Sequence, residues 1–154
     1  RYADRRTDRV AHLAQLVEMF VTRTTGMNFI STPNAPTPAG HYSQAVVHGG
    51  FVFVAGQLPI DPADPSRPPG TVEDQTGRAL ANVSAILIAA GTSLDHVVQM
   101  TIYVSDVSLW GKVNAVYSRI MGDHRPARAI VPAGELKHGM LIEIQAIAAV
   151  GTAS

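Results

Sequence analysis

Apolar side chains recur at helical spacing between residues 71 and 90, where Val72, Ala79, Leu80, Val83, Ile86, Leu87 and Ala90 share one side of a 3.6-residue helix. Thr71 stands where an N-cap belongs, with Asp74 three residues on as a carboxylate variant of the capping box. Gly91 stands where the helix must stop, free to take the left-handed conformation of a C′ residue. The same reasoning predicts a second helix over residues 108–121, with Val113, Val116, Tyr117 and Ile120 inward and Gly122 as its stop.

Between these helices the pattern changes period. Residues 45–48 and 51–55 read as two strands joined by the hairpin signal Gly49-Gly50. Residues 96–104 are β-branched enough for a third, and 127–131 and 140–150 are the closing strands. Residues 29–40, rich in Pro, Thr, Asn and Gly, are expected to be irregular, and the four prolines of residues 61–70 mark a surface loop. The order strand, strand, helix, strand, helix, strand, strand predicts an α+β fold, a mixed sheet with both helices packed on one face. Such a sheet leaves its other face uncovered, and three copies packed around an axis would bury it.

Residues 1–26 differ in character, with five arginines and an apolar set at Val10, Leu13, Leu16, Val17 and Phe20 that suits an amphipathic helix. They are expected to be a basic extension, with residues 27–154 as a single domain. The extension is arginine-rich like a targeting leader, but Asp4, Asp8 and Glu18 weigh against that reading.

Composition narrows the classes. A chain of 154 residues that is 46% apolar and 16% charged suits one compact domain, alone or in an oligomer. Twelve basic and twelve acidic residues leave no net field to draw in nucleic acid or an anionic membrane. The absence of cysteine removes disulfides, thiolate ligands and a cysteine nucleophile. Apolar runs fall short of the roughly 20 residues that span a bilayer, so a cytoplasmic protein without a membrane partner is expected.

The six histidines, at 12, 41, 48, 96, 124 and 138, show no metal-ligand spacing, and no phosphate loop or dinucleotide fingerprint is present. No metal or other cofactor is expected. Two charged residues stand out instead. Arg128 follows Pro126-Ala127 and opens the otherwise apolar strand Ala129-Ile130-Val131. Its planar fork is suited to a carboxylate, either of the chain itself in a structural ion pair or of a ligand. Glu143 lies in an alternating strand, on the face shared by Leu141, Gln145 and Ile147 and opposite the core-like Ile142, Ile144 and Ala146. It is either solvated or set in a cleft as an acid, a base or an anchor for water.

The stretches Gly40-His41-Tyr42-Ser43-Gln44, Ala55-Gly56-Gln57-Leu58-Pro59, Asn82-Val83, Val113-Asn114-Ala115-Val116-Tyr117, Pro126-Ala127-Arg128 and Ile142-Glu143-Ile144-Gln145-Ala146-Ile147-Ala148 together resemble the YjgF/Rid family. That family also carries the names L-PSP endoribonuclease and translation inhibitor. The resemblance spans roughly residues 29–150 and implies a chorismate-mutase-like subunit in a homotrimer, with clefts between subunits. It further implies a deaminase that hydrolyses 2-imino or 2-enamino acids to 2-keto acids and ammonia. By that resemblance Arg128 holds the substrate carboxylate and Glu143 places or activates water, while Tyr42, Ala55, Gly56, Asn114 and Ile130 line the substrate pocket. The alternatives are an endoribonuclease that inhibits translation, for which the neutral charge offers little support, and a ligand-binding trimer without turnover. Three positions depart from the family's usual pattern: Ala55 where serine is common, Ile130 where cysteine is common, and His41 where proline usually precedes the tyrosine.

Overall fold

The computed structural model describes residues 9–16 and 26–150. Six strands and two long helices follow in the order β1 (Asn28–Ile30), β2 (Ala45–His48), β3 (Phe51–Gln57), α1 (Val72–Ala89), β4 (Val97–Val104), α2 (Trp110–Met121), β5 (Ala127–Pro132) and β6 (Ile142–Ala149). The strands form one mixed sheet in the order β1-β2-β3-β6-β4-β5, antiparallel throughout except for the parallel pair β4 and β5. The parallel pair is connected through α2, as a parallel crossover requires.

Local signals act where the sequence puts them. Gly49 and Gly50 both have positive φ, 58° and 82°, and close the β2–β3 hairpin with His48 opposite Phe51. Thr71 Oγ1 accepts from the Asp74 amide at 3.2 Å while the Asp74 carboxylate accepts from the Thr71 amide at 3.0 Å, a complete capping box. At the other end of α1, the Gly91 amide donates to Ile88 and the Thr92 amide to Leu87, the paired bonds of a Schellman motif.

The core lies between one face of the sheet and the two helices. Val52 and Val54 of β3, Met100, Ile102 and Val104 of β4, and Ile142, Ile144, Ala146 and Ala148 of β6 are buried against Leu80, Val83, Ile86 and Leu87 of α1 and Val113 and Tyr117 of α2. Each large aliphatic side chain buried in this way contributes about 1.5–3 kcal/mol relative to exposure. Among the described residues no helix packs on the opposite sheet face. Phe29, Val46, Phe53, Ile147 and Gln99 stand in one cross-strand row on it, and Phe53 remains 45% exposed in the single chain.

Four details differ from the sequence expectation. Residues 28–30 form an edge strand where irregular chain is expected, because three residues pairing with β2 are too few to show a period. The second strand of the hairpin runs to Gln57, past an irregular register between Val54 and Gln57 that alternation does not reveal. Residues 107–109 form a 3-10 turn ahead of α2 rather than its first turn. On α2, Val113, Val116 and Tyr117 are buried as expected, but Ile120 is 40% exposed and Met121, one turn beyond Tyr117, is buried instead. Residues 9–16 are helical as expected, with Val10, Leu13 and Leu16 exposed, whereas Val17 and Phe20 lie outside the described residues.

Candidate functional site

Arg128 enters β5 opposite Met100 in register, so its side chain rises from the helix-covered face of the sheet at its edge. There α2 meets it with three residues spaced about one helical turn from one to the next. Asn114 Oδ1 accepts from Arg128 Nη1 at 2.9 Å, the Tyr117 ring lies under the guanidinium at 4.7 Å, and the Trp110 ring lies 5.6 Å away. Stacking of this kind holds a guanidinium plane while leaving donors on its edge. The ion pairs among the described residues join Asp61 to Arg67 and Arg78, and Glu73 to Lys112, so Arg128 has no carboxylate partner among them. Burial pushes the Tyr117 hydroxyl above its ordinary pKa, and the Arg128 charge acts in the opposite direction. That hydroxyl is buried and has no hydrogen-bond partner among the described residues. Ile130, two residues along β5, faces the same side and packs against the core.

Glu143 sits elsewhere. It pairs with Tyr103 on β4, between the buried Ile142 and Ile144, and therefore rises from the uncovered face. A cavity of about 380 Å³ opens around it, lined also by Tyr42, Ala55, Gly56, Gln57, Lys137 and His138. Ala55 and Gly56 lie in the irregular stretch of β3, where the backbone passes beneath the carboxylate. A Cβ at Gly56 would overlap Glu143 Oε1 and come within 3.0 Å of its Cδ, so any side chain here would displace the carboxylate from this position. Tyr42 is half exposed, and its hydroxyl accepts from the Ala39 amide at 3.3 Å.

The structure thus brings Tyr42, Ala55, Gly56 and Glu143 together, and separately joins Arg128 to Asn114 with Ile130 nearby. In one chain the two groups occupy opposite faces of the sheet. A larger hollow of about 610 Å³, between the 61–70 loop and the helices, contains neither Arg128 nor Glu143. Its Asp61 accepts from Arg67 at 2.9 Å and pairs with Arg78 at 3.5 Å, while backbone and arginine hydrogen bonds hold that carboxyl below its usual range. Among the described residues no three His, Asp or Glu side chains converge as metal ligands, and no helix is long and apolar enough to cross a membrane.

Residues 32–150 match the sequence profile of the family described as endoribonuclease L-PSP. The chain belongs to the endoribonuclease L-PSP family. It is 47% identical to a RutC family protein of Pyrococcus horikoshii over 77% of this chain and 94% of that one. It is 39% identical to the 2-iminobutanoate/2-iminopropanoate deaminase of Rattus norvegicus over 79% of this chain and 89% of that one. Among solved structures, E. coli TdcF with bound serine superposes with a TM-score of 0.76 at 35% identity, covering 80% of this chain and 99% of that one.

Buried amides support the cavity of this L-PSP chain, and sequence reading assigns them no role. Gln57 Nε2 donates to the carbonyls of Ala55 at 3.1 Å and Gly56 at 3.3 Å, fixing the irregular stretch under Glu143. Asn82 Nδ2 donates to Leu58 and Ile60 at 3.0 and 2.9 Å, tying the chain that leaves β3 to α1. Gln75 Oε1 accepts from the Leu141 amide at 2.8 Å, anchoring the approach to β6 two residues before Glu143. Gln44 accepts from the Thr32 amide at 2.7 Å and donates to the Thr32 and Pro36 carbonyls, each at 3.0 Å, shaping the loop that precedes Tyr42. An amide in an otherwise apolar stripe, as at Gln75 and Asn82 on α1, is the signal that reveals such a role, because a buried amide must find partners.

Proposed function

We propose that this chain is a 2-imino/2-enamino acid deaminase that needs no cofactor and works as a homotrimer with its sites between subunits. The observation that carries the reading is the state of Arg128. A guanidinium stacked on Tyr117, bonded to Asn114 and without a carboxylate partner among the described residues is ready for the carboxylate of a ligand. The name of the rat relative and the serine bound to E. coli TdcF, a small molecule with a carboxylate, support the same chemistry.

Arg128 and Glu143 rise from opposite faces of one sheet, so a substrate held by both needs them from two chains. The uncovered face with Phe53 and Ile147 gives a second copy an apolar surface to pack on. In the assembled cleft Arg128 binds the carboxylate and sets the imine carbon over the partner subunit's cavity. That carbon is already electrophilic, and what it requires is orientation, a water and proton transfer. Glu143 orients the water and takes its proton, water adds across the C=N bond, and collapse of the carbinolamine releases ammonia and leaves the 2-keto acid. Ala55 offers no hydroxyl at this point, which leaves the water to Glu143 and the main chain.

The test is direct. 2-Aminoacrylate and branched 2-imino acids are generated enzymatically, and keto-acid release is followed with and without the protein. Acceleration above spontaneous hydrolysis is expected. Release at the uncatalysed rate for every substrate would leave a ligand-binding protein without turnover.

A further inference from the structure

We propose that the cavity beside Glu143 selects imines whose side chain carries a second carboxylate, and that Lys137 and His138 recognise it. The proposal rests on the deaminase reading above and names its substrate class.

Three observations carry it. Lys137 and His138 line the cavity together with Glu143, and the remaining lining residues, from Pro36 to Ile60, are uncharged. Neither Lys137 nor His138 is paired with a carboxylate among the described residues. The cavity therefore has an exposed lysine and an exposed histidine, whose imidazole has an N–H donor in either tautomer, on its wall with a single acidic group. The third observation is conformational. His138 has φ 61° and ψ 21°, the sole non-glycine residue with positive φ among the described residues. It is followed by Gly139 at φ 67°, in a turn closed by bonds from the Gly139 amide to Leu136 and from the Met140 amide to Lys137. Histidine is among the few side chains that adopt this left-handed conformation readily, so the turn places an imidazole here at little backbone cost. Side chains held in such backbone regions cluster at ligand sites, and this one lines the cavity.

The arrangement solves a problem of charge. With its 2-carboxylate on Arg128, a dicarboxylic imine directs its second carboxylate toward Glu143, and like charges brought together without a cation repel. Lys137 supplies that cation, and His138 adds a hydrogen bond. The volume of about 380 Å³ accommodates a side chain of several heavy atoms with water. The reaction balances without a co-reactant: the imine and one water give the dicarboxylic 2-keto acid and ammonia. The water oxygen becomes the keto oxygen, and both water hydrogens leave on nitrogen.

The imines of aspartate and of leucine are generated in situ by amino-acid oxidases, and keto-acid release is measured with wild type, Lys137→Met and His138→Asn, the last chosen because asparagine tolerates the left-handed backbone. Wild type is expected to favour the aspartate-derived imine in kcat/KM. Lys137→Met is expected to lower that preference about tenfold, through KM rather than kcat, as loss of one charge-assisted contact does. His138→Asn should lower it in the same direction by less. Equal activity on both imines in wild type would overturn the proposal. So would equal losses on both in Lys137→Met, which would mean that Lys137 acts through Glu143. Release of neither keto acid above background would instead sink the deaminase reading and the proposal with it.

Discussion

The Arg128 and Glu143 regions are both polar outposts on one sheet, yet they are built by different means. Around Arg128 the work is done by side chains: two aromatic rings and one amide of α2 fix the plane of the guanidinium. Around Glu143 it is done by the main chain, where an irregular stretch of β3 and the bare Cα of Gly56 admit the carboxylate and buried amides of Gln57, Asn82 and Gln75 hold that backbone in place. A binding group tolerates a support with some give, because its donors can follow the ligand. A group that must place a water against a carbon atom does not, since a displacement of about 1 Å can cost on the order of a hundredfold in rate.

The comparison predicts unequal sensitivities. On the proposed deaminase reading Glu143→Gln keeps the shape but removes the proton acceptor, and keto-acid release should fall through kcat by about a hundredfold or more, the range general-base groups supply. Gly56→Ala should come next. Its methyl group displaces the Glu143 carboxylate, the free end of a flexible side chain, so activity should drop about a hundredfold while stability read from urea unfolding changes little. Arg128→Ala should cost about ten- to a hundredfold, mainly in KM, and Arg128→Lys nearly as much because it keeps the charge but not the fork. If Arg128→Lys restored wild-type KM, the fork geometry would be irrelevant and the two regions would not differ as described.

The smallest effect should lie away from both regions. Thr71→Ala removes the cap of α1 and should reduce stability at neutral pH while leaving keto-acid release unchanged. The Asp74 carboxyl is held below its ordinary range by hydrogen bonds from the Thr71 side chain and then its backbone. A lowered folded-state pKa means stability present above the unfolded value and lost as pH falls through the folded one. The difference between wild type and Thr71→Ala in thermal unfolding should therefore shrink on acidification below the carboxylate range.

What the sequence revealed follows the same division. Caps, the Gly49-Gly50 turn and the alternation of β6 are local, and they were legible because a residue type and its neighbours suffice to define them. Arg128 was legible as a charge out of place in an apolar strand. The supports of Glu143 were not, because Gln57, Asn82 and Gln75 bond to main-chain groups of irregular segments that no period marks. The aromatic support of Arg128 escaped for a related reason: Tyr117 reads as core on α2, and only the register of β5 on β4 brings the guanidinium over it. Nor could alternation alone tell that Arg128 and Glu143 face opposite ways, since that depends on the pairing of β4 with both β5 and β6.

That opposition is the centre of the account, and mixing subunits tests it. Arg128→Ala and Glu143→Gln are unfolded together, refolded at equal amounts and assayed for keto-acid release at substrate well below the wild-type KM, where the loss in each variant is fully expressed. If each site takes its arginine from one chain and its glutamate from another, random assembly leaves about a quarter of the sites intact, and activity should return to about a quarter of the wild-type value. Activity that stays at the level of the separate variants would show that both residues must come from the same chain, and would contradict the account.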